Sequence, residues 1–174
     1  MRTMICGYSG SGKSTLAGWL GRVQNCPVLY LDTVQFSSGW EERNRTEAEK
    51  MVQEFLETEK NWVMDGNYFG KFCWEQRIKE ADRIFLLKFN PVSCLFRVAK
   101  RYFRYRGRTR ESMAEGCMEK LDREFVWWVL KAGRSGKNGR YLEQIAKAYP
   151  GKTFVVRNQK ELDLLYEKLK QERK

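Results

Sequence analysis

The chain has 174 residues, a formal charge of +11 and a hydrophobic fraction of 42%, which is enough apolar material for one domain with one core. No window approaches the roughly 18 apolar residues that span a membrane, and the N-terminus lacks the apolar stretch of a signal peptide, so we expect a cytoplasmic protein without a membrane partner. The excess of basic residues favours an anionic partner: a nucleotide, a phosphorylated metabolite or a nucleic acid.

Short apolar runs alternate with amphipathic segments along the chain. The pattern predicts five strands, at 1–6, 27–31, 62–64, 83–89 and 152–157. It predicts helices at 13–23, 46–60, 73–80, from 91 onwards, and at 119–131, 139–149 and 160–170. A polar loop is expected after Asp32, and Thr46 with Glu49 is expected to form a capping box. Alternating strands and helices predict one α/β domain over residues 1–174, with a parallel sheet covered on both faces.

Residues 7–14 match every fixed position of the phosphate-binding loop G-x-x-x-x-G-K-[ST]. The motif lies between a predicted strand and a predicted helix, where backbone N–H groups and the helix dipole bind phosphates. We expect Lys13 to contact the β- and γ-phosphates of ATP and Ser14 to ligate Mg²⁺. The expected nucleotide-binding residues of the loop are Gly7, Ser9, Gly10, Ser11, Gly12, Lys13, Ser14 and Thr15.

Seven basic residues and no acidic residue lie between positions 97 and 110. We predict a basic lid at about 105–122, in which Arg106, Arg108 and Arg110 neutralise the charge of a transferred phosphoryl group. The lid would also exclude water, so that the phosphate reaches an acceptor. Two alternatives stay open. The arginines can grip a nucleic-acid backbone while Tyr102, Phe103 and Tyr105 stack on bases, or they can form a solvated face.

Two aspartates, Asp32 and Asp65, each follow a predicted strand. In open parallel sheets, ligands bind at the edge where the carboxyl ends of the strands meet, and both aspartates are expected to lie at that edge. Because the sequence contains no histidine, a general base must be a carboxylate, a lysine or the substrate itself. Asp32 is a candidate general base or a ligand of Mg²⁺ through water, and Asp65 is a candidate for either role; each can alternatively cap a turn or helix. Trp127 and Trp128 are expected to pack in the core, although one of them can face an acceptor pocket.

Several short segments together resemble a known family. Residues 7–16 are followed by Leu31-Asp32, Gly39-Trp40, Asp65-Gly66-Asn67-Tyr68, Tyr105-Arg106-Gly107, Thr109-Arg110 and Glu115-Gly116-Cys117. This set resembles the bacterial P-loop proteins labelled DNA topology modulation proteins, which are similar to adenylate and shikimate kinases. The resemblance runs over nearly the whole chain.

The resemblance implies a three-layer P-loop fold with strand order 2-3-1-4-5 and a lid between the fourth and fifth strands. It implies that Asp32 holds the acceptor and the metal, and that Arg97 and Arg101 contact the nucleotide. The acceptor site is expected to contain Asp32, Trp40, Asp65, Gly66, Asn67 and Tyr68.

Two functional hypotheses follow. The first is an ATP- and Mg²⁺-dependent kinase that phosphorylates a nucleotide, a nucleoside or a small hydroxylated metabolite, with Lys13, Asp32 and the lid arginines as catalytic residues. The second is a nucleotide-gated DNA- or RNA-binding regulatory protein without an acceptor, in which ATP acts as a switch. The absence of an N-K-x-D element argues against a guanine-specific GTPase, and the length of the chain fits a small kinase better than a motor or transporter ATPase.

Overall fold

The computed structural model describes residues 1–172. Five parallel strands form one sheet in the order β2-β3-β1-β4-β5, which confirms the predicted order. The strands are β1 (Arg2–Gly7), β2 (Val28–Tyr30), β3 (Trp62–Asp65), β4 (Arg83–Leu87) and β5 (Thr153–Val156). The helices are α1 (Lys13–Gln24), α2 (Leu31–Gln35), α3 (Arg45–Thr58), α4 (Trp74–Glu80), α5 (Pro91–Tyr105), α6 (Arg123–Trp127), α7 (Gly136–Ala148) and α8 (Gln159–Gln171). Within residues 1–172, no helix combines the length and apolar character needed to cross a membrane.

Two apolar clusters fill the two faces of the sheet. On β1, Met4 and Cys6 belong to one cluster and Ile5 belongs to the other, because successive strand residues point to opposite faces. Helices α3, α4 and α7 cover the first face, and α1, α5 and α8 cover the second. Burial on both faces explains why the strands read as continuous apolar runs in the sequence.

The loops that follow β1, β2 and β3 meet at one edge of the sheet. Ile5 and Tyr30 are both register partners of Asp65, so the carboxyl ends of these three strands lie side by side. In open parallel sheets this edge is the ligand-binding crevice. The fold therefore brings the phosphate-loop motif and both candidate aspartates to one place.

The segment directly after β2 is helical as far as Gln35, so the polar loop predicted after Asp32 begins later than expected. Leu31 and Val34 are fully buried, three residues apart, in the one-turn helix α2. Asp32 therefore lies in the first turn of a helix. A short 3₁₀ turn, Ser38–Trp40, follows and is termed the Trp40 turn. A helix of five residues is too short to give a detectable periodicity in the sequence.

Helix α3 begins one residue before the predicted N-cap. Asn44 is the cap, and its side chain accepts a hydrogen bond from the backbone N–H of Thr46 at 2.9 Å. The predicted capping box is therefore wrong. The carboxylate of Glu49 instead accepts hydrogen bonds from the backbone N–H groups of Phe72 and Cys73, at 2.8 and 2.7 Å. Glu49 thus ties α3 to the segment that leads into α4.

The region from residue 119 to 132 also differs from its prediction. The helix expected from Glu119 begins only at Arg123, where the side chain of Asp122 caps it, and a π-helical turn (Trp128–Ala132) extends it. Trp127 and Trp128 are 56% and 44% exposed, so the expectation that they pack in the core is wrong. Phe125 and Val129 pack instead in the apolar cluster on the face covered by α1, α5 and α8. These two residues lie four positions apart and share one helical face, which turns the tryptophans outwards.

Candidate active site

Residues 8–12 form a tight loop between β1 and α1. A Cβ atom at Gly10 would lie 2.5 Å from the carbonyl oxygen of Cys94, and Gly10 has a φ of +77°, so both space and backbone conformation require glycine. Gly12 is the N-cap of α1 and has no side chain to cap the first backbone N–H groups. These N–H groups and the positive end of the helix dipole remain available for an anion.

Lys13 lies at the start of α1 and folds back across the loop. Its Nζ donates a hydrogen bond to the carbonyl oxygen of Tyr8 at 3.1 Å, which keeps the ammonium at the mouth of the loop. Ser14 is the next residue, and Thr15 is exposed in the same turn. An oxyanion bound by the loop amides would therefore meet a positive charge that is already in place.

Asp65 ends β3 beside this loop. The residue is 6% exposed, and its Oδ1 has no hydrogen-bond partner within residues 1–172. Burial raises the pKa of Asp65 to about 6, while the Lys13 charge and the Ser14 hydroxyl lower it and the Asp32 charge raises it again. The site thus contains a carboxylate whose charge is not fully compensated by the protein.

The oxygen donors beside the loop fit Mg²⁺. The Ser14 hydroxyl lies close enough to the Asp65 carboxylate to lower its pKa. Both groups are hard oxygen ligands of the kind that Mg²⁺ prefers. No group of three or more acidic, cysteine or histidine side chains in residues 1–172 forms a metal cage. Mg²⁺ in nucleotide sites is held by one or two protein oxygens together with phosphates and water. Asp65 therefore fits the metal-binding role at least as well as Asp32, which the sequence favoured.

Asp32 is held by a tyrosine. The hydroxyl of Tyr68 donates a hydrogen bond of 2.7 Å to Oδ1 of Asp32. Burial raises the pKa of Tyr68, and the charge of Asp32 and this hydrogen bond raise it further, so the tyrosine stays protonated and keeps donating. The bond fixes the orientation of Asp32 and leaves its Oδ2 for another partner.

Asn67 braces the phosphate loop. Its Oδ1 accepts the backbone N–H of Gly7 at 2.9 Å, and its Nδ2 donates to the carbonyl oxygen of Gly7 at 3.0 Å. Gly66 donates its backbone N–H to Ile5 at 3.1 Å. The loop after β3 is thus tied to the end of β1 through both Gly66 and Asn67.

The basic residues divide into those near the loop and those at the surface. Arg97 donates from Nη1 to the carbonyl oxygen of Ser11 at 3.0 Å, and its guanidinium lies 4.2 Å from the centre of the Phe89 ring. Arg101 and Arg110 both form ion pairs with Glu119. Arg106 and Arg108 are exposed. They make no ion pair within residues 1–172, and α5 ends at Tyr105, before Arg108.

The predicted lid segment, residues 105–122 and called the lid below, packs against the Trp40 turn. The indole N–H of Trp40 donates to the carbonyl oxygen of Met118 at 3.2 Å, and its backbone N–H contacts Sγ of Cys117 at 3.2 Å. The Cys117 thiol donates to the carbonyl oxygen of Ser37 at 3.3 Å, and the Lys120 ammonium lies 5.2 Å from the Trp40 ring centre. Lid and turn are thereby joined by both backbone and side chains.

Two residues in this region escaped the sequence analysis. The sequence predicts a helix at Glu119. Its ion pairs with Arg101 and Arg110 leave no sequence signal, because these arginines lie 18 and 9 positions before it in the chain. Arg134 lies 4.2 Å over the ring of Tyr8 and donates from Nη1 to the carbonyl oxygen of Phe89 at 2.7 Å. Only the folded chain brings Arg134 to the phosphate loop.

Comparisons with known proteins identify the fold. No protein-family model and no curated protein matches the sequence. The Thermus thermophilus protein TT1252 is similar in structure, with 18% identity, a TM-score of 0.57, and coverage of 99% of this chain and 97% of that chain. A deoxyadenosine kinase from M. mycoides with bound dATP is similar at 16% identity and a TM-score of 0.53, over 98% of this chain and all of that chain. The chain has the three-layer α/β P-loop fold.

The fold prediction is therefore confirmed, whereas the resemblance to the DNA topology modulation family and the assigned site residues stay predictions. Lys13, Asp32 and Arg110 lie within electrostatic range of Asp65, whose pKa the Ser14 hydroxyl also lowers. Asp32 and Arg110 lie within electrostatic range of Arg101. The structure places Arg97 and Asn67 against the phosphate loop. Trp40 lies under the lid.

Proposed function

We propose that the protein is an ATP- and Mg²⁺-dependent kinase whose acceptor is a nucleotide, a nucleoside or a small hydroxylated metabolite. One observation supports the proposal: a complete phosphate loop with an uncapped helix N-terminus lies beside two aspartates, one of which is within electrostatic range of Arg110 in the predicted lid. A loop that binds phosphates needs no lid, but transfer to an acceptor does, because water must be excluded. The deoxyadenosine kinase of the same fold is named for a reaction of this class.

Each residue has a role in the transfer step. The loop amides and Lys13 would hold the phosphates. Ser14 with Asp65 or Asp32 would hold Mg²⁺, which would supply positive charge to neutralise the phosphates. The acceptor oxygen bonds to the γ-phosphorus, the bond from that phosphorus to the β–γ bridging oxygen breaks, and ADP leaves. Asp32 accepts the hydroxyl proton. Arg110, joined on closure by Arg106 and Arg108, neutralises the transferring group.

The test is ATP consumption with Mg²⁺ across a panel of nucleotides, nucleosides and small hydroxylated metabolites. The wild type is compared with Lys13→Ala and with Lys50→Ala, an exposed helix residue far along the chain from the loop. We expect one acceptor class to stimulate turnover, Lys13→Ala to reduce it by at least about 100-fold, and Lys50→Ala to leave it unchanged. If no acceptor in the panel stimulates ATP consumption by the wild type, the proposal that the protein is a kinase is contradicted.

We also propose a cytoplasmic location, since all five cysteines are free thiols and this fits a reducing compartment.

A second candidate function, nucleic-acid binding, is supported by one surface. Phe96, Lys100, Phe103 and Arg104 are exposed along α5, and no acidic residue occurs from position 83 to 110. Exposed aromatic rings between cations suit single strands, which offer bases for stacking and phosphates for pairing. Of the three aromatic residues expected to stack, Phe103 is exposed, whereas Tyr102 and Tyr105 are half-buried.

Salt dependence separates this candidate from the kinase. A labelled oligonucleotide held by several phosphate contacts should lose affinity by orders of magnitude between about 50 and 200 mM salt. Absence of binding at the lower salt concentration would exclude the nucleic-acid candidate.

A further inference from the structure

Glu119 is a lid residue whose carboxylate is buried against α5. Its side chain is 5% exposed. Oε2 accepts a hydrogen bond from Nε of Arg101 at 3.0 Å and lies 2.9 Å from Nη2 of the same residue. Oε1 lies 2.5 Å from Nε of Arg110, in an ion pair whose alignment falls short of a hydrogen bond. One carboxylate thus joins a guanidinium of α5 to a guanidinium of the lid.

The three charges depend on one another. Burial lowers the pKa of Arg101, the nearby charge of Arg110 lowers it further, and Glu119 raises it. A buried carboxylate is costly unless it is paired, and two neighbouring guanidinium groups repel. Glu119 therefore allows two cations to occupy one small region of the protein.

This cluster lies within electrostatic range of both aspartates. The charge of Arg110 lowers the pKa of Asp65, and the charge of Asp32 raises the pKa of Arg101. The closest contact of Glu119 with Arg110 is at Nε. Within residues 1–172, no hydrogen bond uses the two terminal nitrogens of Arg110, so their N–H groups remain available to a ligand.

The neighbours of Glu119 hold it in place. The carbonyl oxygen of Met118 accepts the indole N–H of Trp40, and the Lys120 ammonium lies over the Trp40 ring. Glu119 thus enters the cluster at the point where the lid contacts the Trp40 turn. These contacts also account for the irregular backbone at a position where the sequence predicted a helix.

We propose that Glu119 is a positioning residue: with the lid docked on the Trp40 turn, it holds Arg101 and Arg110 together so that their remaining N–H groups serve the transferring phosphoryl group. The inference rests on the proposed kinase function. Donors held in place before the reaction stabilise developing charge without reorganisation. Because the phosphate loop supplies ground-state binding of ATP, loss of Glu119 acts on turnover more than on ATP affinity.

The test compares Glu119→Gln with Glu115→Gln, an exposed lid residue that serves as a matched control. Turnover is measured with the acceptor that stimulates the wild type and is resolved into kcat and the KM for ATP. We expect Glu119→Gln to lower kcat by about 10- to 100-fold, the usual effect of losing a residue that orients a reacting group without touching the substrate. The KM for ATP should change by less than about threefold. Glu115→Gln should change neither.

A conservative variant and a melting temperature guard against a merely structural effect. Glu119→Asp keeps the charge and should retain more kcat than Glu119→Gln; it also replaces that variant if Glu119→Gln does not fold. A lower melting temperature with kcat and KM affected together would overturn the positioning role, and so would an unchanged kcat in a stimulated enzyme. A wild type that no acceptor stimulates overturns the proposed function, and the positioning role with it.

Discussion

At the scale of single residues, Asp65 is a buried carboxylate whose charge the protein compensates only in part. It is 6% exposed, one of its oxygens has no hydrogen-bond partner within residues 1–172, and burial raises its pKa to about 6. The surrounding charges are Lys13 and Arg110, which lower the pKa, and Asp32, which raises it. A carboxylate kept in this condition is prepared for a cation that arrives with the nucleotide.

The raised pKa predicts how stability depends on pH. Between the ordinary value of 3.8 and about 6 the folded protein binds the Asp65 proton more tightly than the unfolded chain does, so stability falls as the pH rises through this range. We expect the free energy of unfolding to fall by about 1 kcal/mol between about pH 5 and about pH 7, and Asp65→Asn to remove this fall. Denaturant unfolding at both pH values measures it. The absence of histidine simplifies the assignment, and an equal fall in Asp65→Asn would contradict it.

At the scale of elements, the loop after β3 braces the phosphate loop. Asn67 bonds to both the N–H and the carbonyl group of Gly7, and Arg77, which is fully buried, donates to the carbonyl oxygens of Tyr68 and Lys71. The loop that holds Asp65 and the loop that binds phosphate therefore form one hydrogen-bonded unit. The lid and the Trp40 turn form a second unit through Trp40.

Asn67→Ala should weaken the first unit. It removes two hydrogen bonds and leaves partly buried groups of Gly7 without partners, which costs about 1 to 3 kcal/mol of stability. We also expect the affinity for ATP, measured by titration with a fluorescent analogue, to fall by about tenfold because the loop amides lose their fixed arrangement. Gln53→Ala, which removes an exposed amide from α3, should alter neither property. Unchanged ATP affinity in Asn67→Ala would show that the brace does not position the loop.

At the scale of the whole molecule, the sheet order and the charge distribution act together. The order β2-β3-β1-β4-β5 gathers the loops after β1, β2 and β3 at one edge, and the chain between β4 and β5 contributes α5 and the lid. A stretch from residue 83 to 110 contains no acidic residue. Part of the net charge of +11 therefore lies beside the crevice, where it would attract an anionic substrate.

The sequence predicts the parts of this arrangement that depend on local patterns. The phosphate loop follows from eight consecutive residues, and the strands follow from their apolar runs. Helix α2 could not be predicted because one buried turn gives no periodicity, and the role of Asn67 depends on Gly7, 60 positions away. Trp127 and Trp128 face outwards because Phe125 and Val129 are the residues of this helix that pack in the apolar cluster. Tertiary packing decides which helical face is buried, and the local sequence does not show it.

The most direct measurement follows the terminal phosphate itself. The protein is incubated with Mg²⁺, ATP labelled in the γ-phosphate and the panel of hydroxylated acceptors, and mass spectrometry locates the label. The account predicts a labelled phosphate ester of one acceptor class with the wild type and none with Lys13→Ala. Label that remains in ATP, or that enters only inorganic phosphate, would contradict the proposal that this protein is a kinase.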